Sequence, residues 1–228
     1  MNFIELKAGM SVDGREIQAF RSESKASSYI YLISGVHGDE VEAVYVMQQL
    51  FEWLKKNDDV TYPIITIPIF NVDGYNNGSR TNAHGVDLNR NLPSKHWVKD
   101  VKEKKNYPGT NPLSEPENKY LVKLFEKYPP AFILSFHAWK PMLNYNGACL
   151  DIAQFISRYN SYPVEADVGY PTPGSLGELG PEEYKAPVLT YECPPLTDEK
   201  GLKEIWEENQ HGLINLLKSD QLNKFLNN

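Results

Sequence analysis

Two residues with the chemistry of metal ligands flank a predicted corner between a strand and a helix. His37 follows the apolar run 29–36, which is typical of a buried strand, and Glu40 lies at the start of the amphipathic segment 39–56, which has helical spacing. Across such a corner, an imidazole and a carboxylate three residues apart can converge on one point. Because ligand sites of open α/β sheets lie outside the carboxyl ends of strands, we interpret this point as a candidate zinc site.

A second histidine strengthens this interpretation. The spacing alone is weak support, since His84 and Asp87 share it. His137, however, ends another apolar run, residues 131–136. Two imidazoles and one carboxylate fill three of the four positions of a hydrolytic zinc site and leave one for water. The ion lowers the pKa of that water toward roughly 7 and polarises the scissile carbonyl.

Hydrolysis also needs a carboxylate outside the ligand set, which takes the proton of the water and passes it to the leaving amine. Glu192 is our candidate because it ends the buried run 186–191, which delivers it to the same edge of the sheet. Other glutamates lie in or near the Gly- and Pro-rich segment 163–181 and fit a solvated surface better.

The rest of the chain predicts alternating strands and helices with one long irregular segment. Asp13-Gly14 marks the turn of a β-hairpin within residues 3–28. Residues 71–114 show no periodicity, and a loop of that length inside a compact domain is usually functional. The predicted strands cover residues 29–36, 63–70, 131–136 and 186–191, and the predicted helices cover residues 39–56, 116–127, 151–159 and 201–226.

These elements predict the α/β class, as a single three-layer α/β/α domain over residues 1–228 with a mixed, mostly parallel, twisted sheet. A chain of this length buries roughly 70% of its unfolded surface, which is enough for one substantial core. Pro68 lies inside the strand predicted over residues 63–70 and indicates an edge position or an irregularity there.

Composition and charge exclude several classes of function. The net charge of −7 argues against nucleic acid as a partner, because phosphate binding needs a basic face. No apolar run approaches the roughly 20 residues that a membrane span needs, and residues 1–7 do not resemble a secretory signal. Cys149 and Cys193 cannot build a disulfide framework, so we expect a reducing, cytoplasmic location. The sequence does not indicate an oligomeric state.

Six short blocks resemble the zinc metallocarboxypeptidase family, the carboxypeptidase A-like enzymes. They occur in the family's order and span most of the chain. One such block is weak support, whereas six in order are specific. The blocks are Gly-Val-His-Gly-Asp-Glu (35–40), Asn-Val-Asp-Gly (71–74), Arg80, Gly-Val-Asp-Leu-Asn-Arg-Asn (85–91), Ser-Phe-His (135–137) and Leu-Thr-Tyr-Glu (189–192).

The resemblance implies a zinc carboxypeptidase-like fold with one Zn²⁺ ion as its cofactor. His37, Glu40 and His137 would bind this ion, and two histidines with one glutamate are indeed the ligands of carboxypeptidase A. Glu192 would be the general base and general acid. The chain would then cleave a peptide-type amide bond next to a free carboxylate.

The resemblance also implies residues for orientation and substrate binding. Asp87 would orient His37, as ligating histidines usually require. Arg80 would stabilise the oxyanion that develops on the scissile carbonyl. Asn89 and Arg90 would hold the terminal carboxylate of a small peptide substrate, since an arginine fork pairs bidentately with a carboxylate.

Two further substrate-binding positions match the family pattern less closely. Tyr170 lies at nearly the distance of the family's substrate-capping tyrosine, but a gap is needed to align it. Leu176 falls near the position that often shapes the side-chain pocket, so no charge there indicates an acidic or a basic substrate.

The substrate class is implied by the small size of the chain and by Pro-Gly-Ser-Leu-Gly at residues 173–177. Both resemble the compact bacterial branch of the family, the murein peptide amidases. Those enzymes cut the γ-D-glutamyl–meso-diaminopimelate bond in recycled cell-wall peptides. No residue of this sequence can be assigned to the recognition of D-glutamate or of diaminopimelate. A general carboxypeptidase would show the same catalytic residues.

Two other functions are open at this point. An N-acyl-amino-acid deacylase of the succinylglutamate desuccinylase or aspartoacylase type shares a zinc-binding His-Gly-x-Glu and an Asp-Leu-Asn-Arg segment. Residues 71–74 and the Ser-x-His form of the third ligand favour the peptidase. A catalytically inactive binding module would show substitutions among the ligands or the base, and this sequence shows none.

Overall fold

The computed structural model describes residues 1–226, which contain ten β-strands. The long strands are runs of buried β-branched, aromatic and other apolar residues, which suit a sheet covered on both faces. The strands are β1 (Phe3–Glu5), β2 (Gly9–Met10), β3 (Glu16–Ile17), β4 (Phe20–Ser22), β5 (Tyr29–Ile33), β6 (Ile64–Ile67), β7 (Pro130–Ala138), β8 (Met142–Asn146), β9 (Val164–Glu165) and β10 (Val188–Cys193).

Seven α-helices lie between and after these strands in the same part of the chain. None of them combines the length and the apolar character needed to cross a membrane. The helices are α1 (Val41–Lys55), α2 (Val72–Asn77), α3 (Pro116–Lys127), α4 (Leu150–Asn160), α5 (Leu176–Glu183), α6 (Leu202–Lys218) and α7 (Asn223–Leu226). α3 has the predicted bounds, with Pro116 at its first position, where a missing N–H costs nothing.

Eight of the strands form one mixed sheet in the order β1-β4-β6-β5-β7-β10-β8-β9. The four central strands, β6, β5, β7 and β10, run parallel to one another. On either side, β4 and β8 run antiparallel to their central neighbours. β2 and β3 form a separate hairpin around the predicted turn at Asp13-Gly14. The predicted α/β class with a mixed sheet is confirmed.

The sheet separates two apolar cores, which gives the fold three layers. Successive side chains of a strand point to opposite faces, so Leu32 belongs to the core to which α1, α4 and α6 contribute, while Ile33 belongs to the core to which α3 and α5 contribute. On β7, Phe136 belongs to the first core, and Ser135 and His137 therefore face the side of the second. On that side, polar side chains replace apolar ones at the carboxyl ends of the parallel strands.

Three predictions of local structure were wrong. The strand predicted over residues 63–70 ends before Pro68 and lies inside the sheet, so the missing N–H of the proline costs no ladder bond. Residues 71–114, predicted to be irregular, contain α2 and two short 3-10 turns. The helix predicted over residues 201–226 is broken into α6 and α7 by a turn at residues 219–222. In addition, β8, β9 and α5 were not predicted.

Candidate active site

Three adjacent parallel strands deliver the predicted ionisable groups to one edge of the sheet. The chain leaves β5 at Ile33 and reaches His37 four residues later. His137 and Glu192 are the penultimate residues of β7 and β10, and they are direct register partners. Side chains in register on neighbouring strands point to the same face, so the imidazole and the carboxylate stand side by side.

His37, Glu40 and His137 converge on one another. Glu40 Oε1 lies 2.7 Å from His37 Nδ1, and Glu40 Oε2 lies 2.9 Å from His137 Nδ1. The two Nδ1 atoms are 3.2 Å apart. All three side chains are buried, and one potential ligand atom from each lies within 4.8 Å of the others. Two imidazoles and one carboxylate at this separation can hold a single metal ion.

Glu40 occupies the N-cap of α1, at the start of the predicted helix, and its carboxylate makes no cap hydrogen bond with the described residues. An N-cap oxygen usually accepts from the free N–H groups of its own helix. The carboxylate of Glu40 instead faces both imidazoles and accepts from the backbone N–H of Ala138 at 3.3 Å. Tertiary contacts at the site therefore override the local capping preference.

The cluster favours a positive charge at its centre. Burial alone would lower the pKa of His37, but the carboxylates of Glu40 and Asp87 outweigh burial and raise this pKa to about 9. Burial would raise the pKa of Glu40, yet the facing His37 and His137 hold it well below its usual range. Such a centre is stabilised by a cation, either a proton or a metal ion.

Asp87 connects the first histidine to Arg80. Asp87 Oδ1 lies 3.2 Å from His37 Nε2, while Asp87 Oδ2 accepts from Arg80 Nε at 3.3 Å and from Arg80 Nη2 at 2.9 Å. Arg80 Nη1 lies 3.6 Å from Glu40 Oε1. One buried carboxylate thus orients both an imidazole of the cluster and the guanidinium at its edge.

Glu192 lies beside the cluster with an unsatisfied oxygen. The residue is 9% exposed, and its buried Oε2 has no hydrogen-bond partner among the described residues. Burial raises the pKa of Glu192 to about 7, although the facing His137 acts in the opposite direction. A buried carboxylate oxygen without a partner is costly, and such groups concentrate where a proton or a ligand is handled.

The two residues predicted to bind a carboxylate lie on the 3-10 turn Leu88–Arg90. Asn89 Oδ1 accepts from the backbone N–H of Leu176 at 2.9 Å, and within the described part of the chain the amide NH₂ of Asn89 has no acceptor. Arg90 is 4% exposed, and among residues 1–226 its guanidinium donates only to Asn89 O, at 2.7 Å, and forms no ion pair. A buried cation in this state is suited to an anionic ligand.

Tyr170 and Leu176 occupy different environments. Tyr170 is 45% exposed, and its ring lies edge-on to that of Trp139, with the centroids 6.0 Å apart. Trp139 follows His137 by two residues, so this aromatic pair lies beside the strand end that carries the imidazole. The side chain of Leu176 is buried in the second core. For both residues, contact with substrate stays a prediction.

The zinc carboxypeptidase family model matches residues 2–207. This chain belongs to the zinc carboxypeptidase family. The predicted family is confirmed, and with it the prediction of an enzyme of the zinc metallopeptidase and amidase type. The cluster of His37, Glu40 and His137 fits the metal requirement that this family name carries.

Two bacterial relatives of this zinc carboxypeptidase chain are called murein peptide amidase A. The protein of Vibrio campbellii is 30% identical over 230 residues, which cover 93% of this chain and 86% of the relative. The protein of Escherichia coli K12 is 27% identical over 227 residues, which cover 92% and 88% respectively. Both alignments therefore extend over nearly the whole of each protein.

Solved structures of the zinc carboxypeptidase family have the same fold. The murein-tripeptide amidase of Escherichia coli O157 superposes with a TM-score of 0.76 at 26% identity, over 92% of this chain and 90% of that one. Carboxypeptidase A of Helicoverpa armigera superposes with a TM-score of 0.79 at 18% identity, over 95% and 68%. The second similarity is one of fold alone.

The block at residues 71–74 holds the segments around the site in place through hydrogen bonds and close packing. This role was not predicted from the sequence. Asn71 Oδ1 accepts from the N–H of Gly74 at 2.9 Å, and Asn71 Nδ2 donates to the carbonyl of Arg80 at 3.1 Å. Gly38 packs on the backbone of Gly74 so closely that an added Cβ would lie 2.0 Å from the carbonyl carbon of Gly74. Asparagine is a common N-cap residue, and this preference is the sequence signal from which the role of Asn71 could have been predicted.

Asp73, in the same block, fixes the β2–β3 hairpin. The side chain is fully buried. Its carboxylate accepts from Ser11 Oγ at 2.8 Å, from the N–H of Asp13 at 3.0 Å and from Arg15 Nη1 at 2.6 Å. The block at residues 71–74 therefore joins the hairpin, α2 and the segment that leads to Arg80.

Proposed function

We propose that this chain is a zinc-dependent hydrolase that cleaves an amide bond next to a free carboxylate, in a murein peptide of the γ-D-glutamyl–meso-diaminopimelate type. One observation carries the proposal: the carboxylate of Glu40 lies between two imidazoles, with the unpaired oxygen of Glu192 beside them. The similarity to proteins called murein peptide amidase A supports the substrate class.

In this proposal one zinc ion is held by His37, Glu40 and His137. The donor set fits zinc in number and in type, and the excess negative charge of the cluster favours a cation. When bound, zinc would act as a Lewis acid that lowers the pKa of a water molecule toward roughly 7 and polarises the scissile carbonyl.

Glu192 moves the proton. Because burial raises its pKa above the usual range of a carboxyl group, Glu192 is suited to take up a proton and to release it again. Glu192 Oε2 takes a proton from the attacking water and then gives it to the nitrogen of the scissile amide. The C–N bond breaks as this nitrogen becomes an amine, and the carboxylate is regenerated.

Arg80 stabilises the negative charge that appears on the carbonyl oxygen as water attacks. Its contacts with Asp87 fix the guanidinium before the reaction, so little reorganisation is needed in the transition state. Arg90 and the free NH₂ of Asn89 bind the terminal carboxylate of the substrate, which places the scissile bond relative to Glu192.

A substrate panel tests the proposal. L-Ala-γ-D-Glu-meso-diaminopimelate is compared with ordinary peptides, with N-acetyl- and N-succinyl-amino acids, and with the tripeptide amidated at the carboxylate next to the scissile bond. We expect the unmodified tripeptide to be cleaved fastest. Chelation should abolish its cleavage and added zinc should restore it, while the amidated tripeptide should be cleaved poorly.

The other outcomes each overturn the proposal in a different way. Faster turnover of the acyl amino acids would make the protein a deacylase of the desuccinylase or aspartoacylase type. Equal cleavage of all free peptides would make it a general carboxypeptidase. Absence of turnover, with no zinc retained in equilibrium dialysis, would make it a binding module that kept the fold.

A further inference from the structure

Ser135 is a buried hydroxyl at a position where a parallel sheet usually has an apolar side chain. It lies in the middle of β7, 1% exposed, with Ile33 of β5 and Thr190 of β10 as its register partners. Burying a hydroxyl costs free energy unless it is hydrogen-bonded. Its Oγ has one partner among residues 1–226, His137 Nε2 at 3.1 Å.

Metal binding through Nδ1 would select one form of His137. A neutral imidazole carries one proton, so one ring nitrogen donates and the other has a free lone pair. His137 Nδ1 faces Glu40 and the other histidine of the cluster. If Nδ1 is to bind a metal ion, the proton must lie on Nε2, where Ser135 Oγ is placed to accept it.

The two histidines are supported in different ways. His37 Nε2 lies 3.2 Å from the carboxylate of Asp87, whereas His137 Nε2 lies 3.1 Å from a neutral hydroxyl. Glu40, Asp87 and Glu192 already bring three carboxyl groups to this buried centre. A further carboxylate would add repulsion among like charges, while a hydroxyl accepts the proton without adding charge.

We propose that Ser135 is a positioning residue for the metal: its hydroxyl accepts the Nε2 proton of His137 and holds the ring with Nδ1 toward the ion. This inference rests on the proposed binding of zinc by His37, Glu40 and His137. Hydrogen-bond partners of ligating histidines typically contribute about 10–100-fold to metal affinity, and the same size of effect is expected here.

The test compares zinc affinity in three variants of the full chain, by competition with a chromophoric chelator. Ser135→Ala removes the acceptor and should weaken zinc binding roughly 10–100-fold. Ser135→Thr keeps a hydroxyl and should retain most of the affinity. Thr66→Val is the matched control, because Thr66 is a buried hydroxyl on the neighbouring part of the same sheet whose Oγ1 has no partner among residues 1–226.

A spectroscopic measurement separates positioning from a general loss of structure. In the zinc-loaded protein, the Nε2 proton of His137 should give a downfield NMR signal protected from exchange. The signal should persist in Ser135→Thr and in Thr66→Val, and it should move upfield and exchange rapidly in Ser135→Ala.

Three results would overturn the inference. In the first, Ser135→Ala binds zinc as tightly as the parent. In the second, Thr66→Val loses as much affinity as Ser135→Ala. In the third, the Nε2 signal is unchanged in Ser135→Ala. Each of these leaves the proposed function intact, whereas failure of the parent protein to bind zinc would remove the proposed function itself and the role of Ser135 with it.

Discussion

The carboxylate of Glu192 has a buried oxygen, Oε2, without a hydrogen-bond partner among residues 1–226. In Glu192→Gln the amide keeps the shape of the side chain but cannot take up a proton. We expect the variant to retain zinc and to lose about 10²–10⁴-fold in kcat, the usual contribution of general acid–base catalysis. Tripeptide kinetics and zinc content by elemental analysis measure the two effects. Full activity would remove Glu192 from the mechanism.

Arg90 is expected to recognise charge on the substrate. Hydrogen bonds to a charged group contribute roughly 1.5–3 kcal/mol each, so Arg90→Ala should raise the KM for a substrate with a free carboxylate about 100-fold. The amidated analogue should be cleaved as slowly as before. Arg158→Ala removes an exposed arginine from α4 and serves as the control for the loss of one positive charge. Unchanged selectivity in Arg90→Ala would refute the assigned role.

At the scale of single residues, the sequence predicted which residue types meet, but not how they are held. His37, His137 and Glu192 could be predicted as site residues because each follows an apolar run, and parallel strands end at one edge of a sheet. The contacts of Asp73 and Ser135 could not be predicted from the sequence. These contacts depend on which segments approach each other in three dimensions, and one sequence carries no direct signal for that.

At the scale of elements, two glycines set how closely the corner after β5 approaches α2. Gly38→Ala would place a Cβ 2.0 Å from the carbonyl carbon of Gly74, and backbone atoms cannot move aside as a side-chain end can. Overpacking costs typically about 1–3 kcal/mol, and we expect a loss of stability at the upper end of this range. Zinc binding should also weaken, because His37 precedes Gly38 directly and Glu40 follows it by two residues. Urea denaturation measures the stability.

Gly78→Ala is the matched control for this substitution. Gly78 ends α2 with φ of +62°, and a Cβ there would meet no atom of residues 1–226 within 4 Å. Its substitution should therefore cost only the strain of a left-handed residue, about 1–2 kcal/mol, and leave zinc affinity unchanged. If Gly38→Ala is no more harmful than Gly78→Ala, the close approach of the two backbones is not what requires glycine.

The sequence located the central strands because their burial is nearly complete. β5, β7 and β10 are buried on both faces and read as continuous apolar runs. β8 was missed because Met142–Asn146 is short and has two asparagines. α5 was missed because its sequence holds glycines and Pro181, which are disfavoured in helices and are tolerated here by packing against the sheet.

At the scale of the whole molecule, metal binding and folding are linked. A ligand that binds only the folded state stabilises it by about 2.7 kcal/mol at a free concentration of 100 times Kd. For a domain of this size each kcal/mol shifts Tm by roughly 2–4 °C, so chelation should lower Tm by about 5–11 °C. Differential scanning calorimetry with and without a chelator measures this shift. In Glu40→Gln the shift should largely disappear, and an equal shift in parent and variant would contradict binding at this cluster.

His137 and Glu192 are register partners on neighbouring strands, whose spacing in any sheet is about 4.7–4.9 Å. The distance between the side chains of His137 and Glu192 is therefore set by the sheet, whereas Arg90 and Tyr170, for which we predict contact with substrate, stand on connecting segments. A library that seeks new leaving groups should accordingly vary the lengths and residues of those connections and leave the strand ends untouched. Substitutions in β7 or β10 would change the relative positions of His137 and Glu192, and so impair hydrolysis, without first changing substrate selectivity.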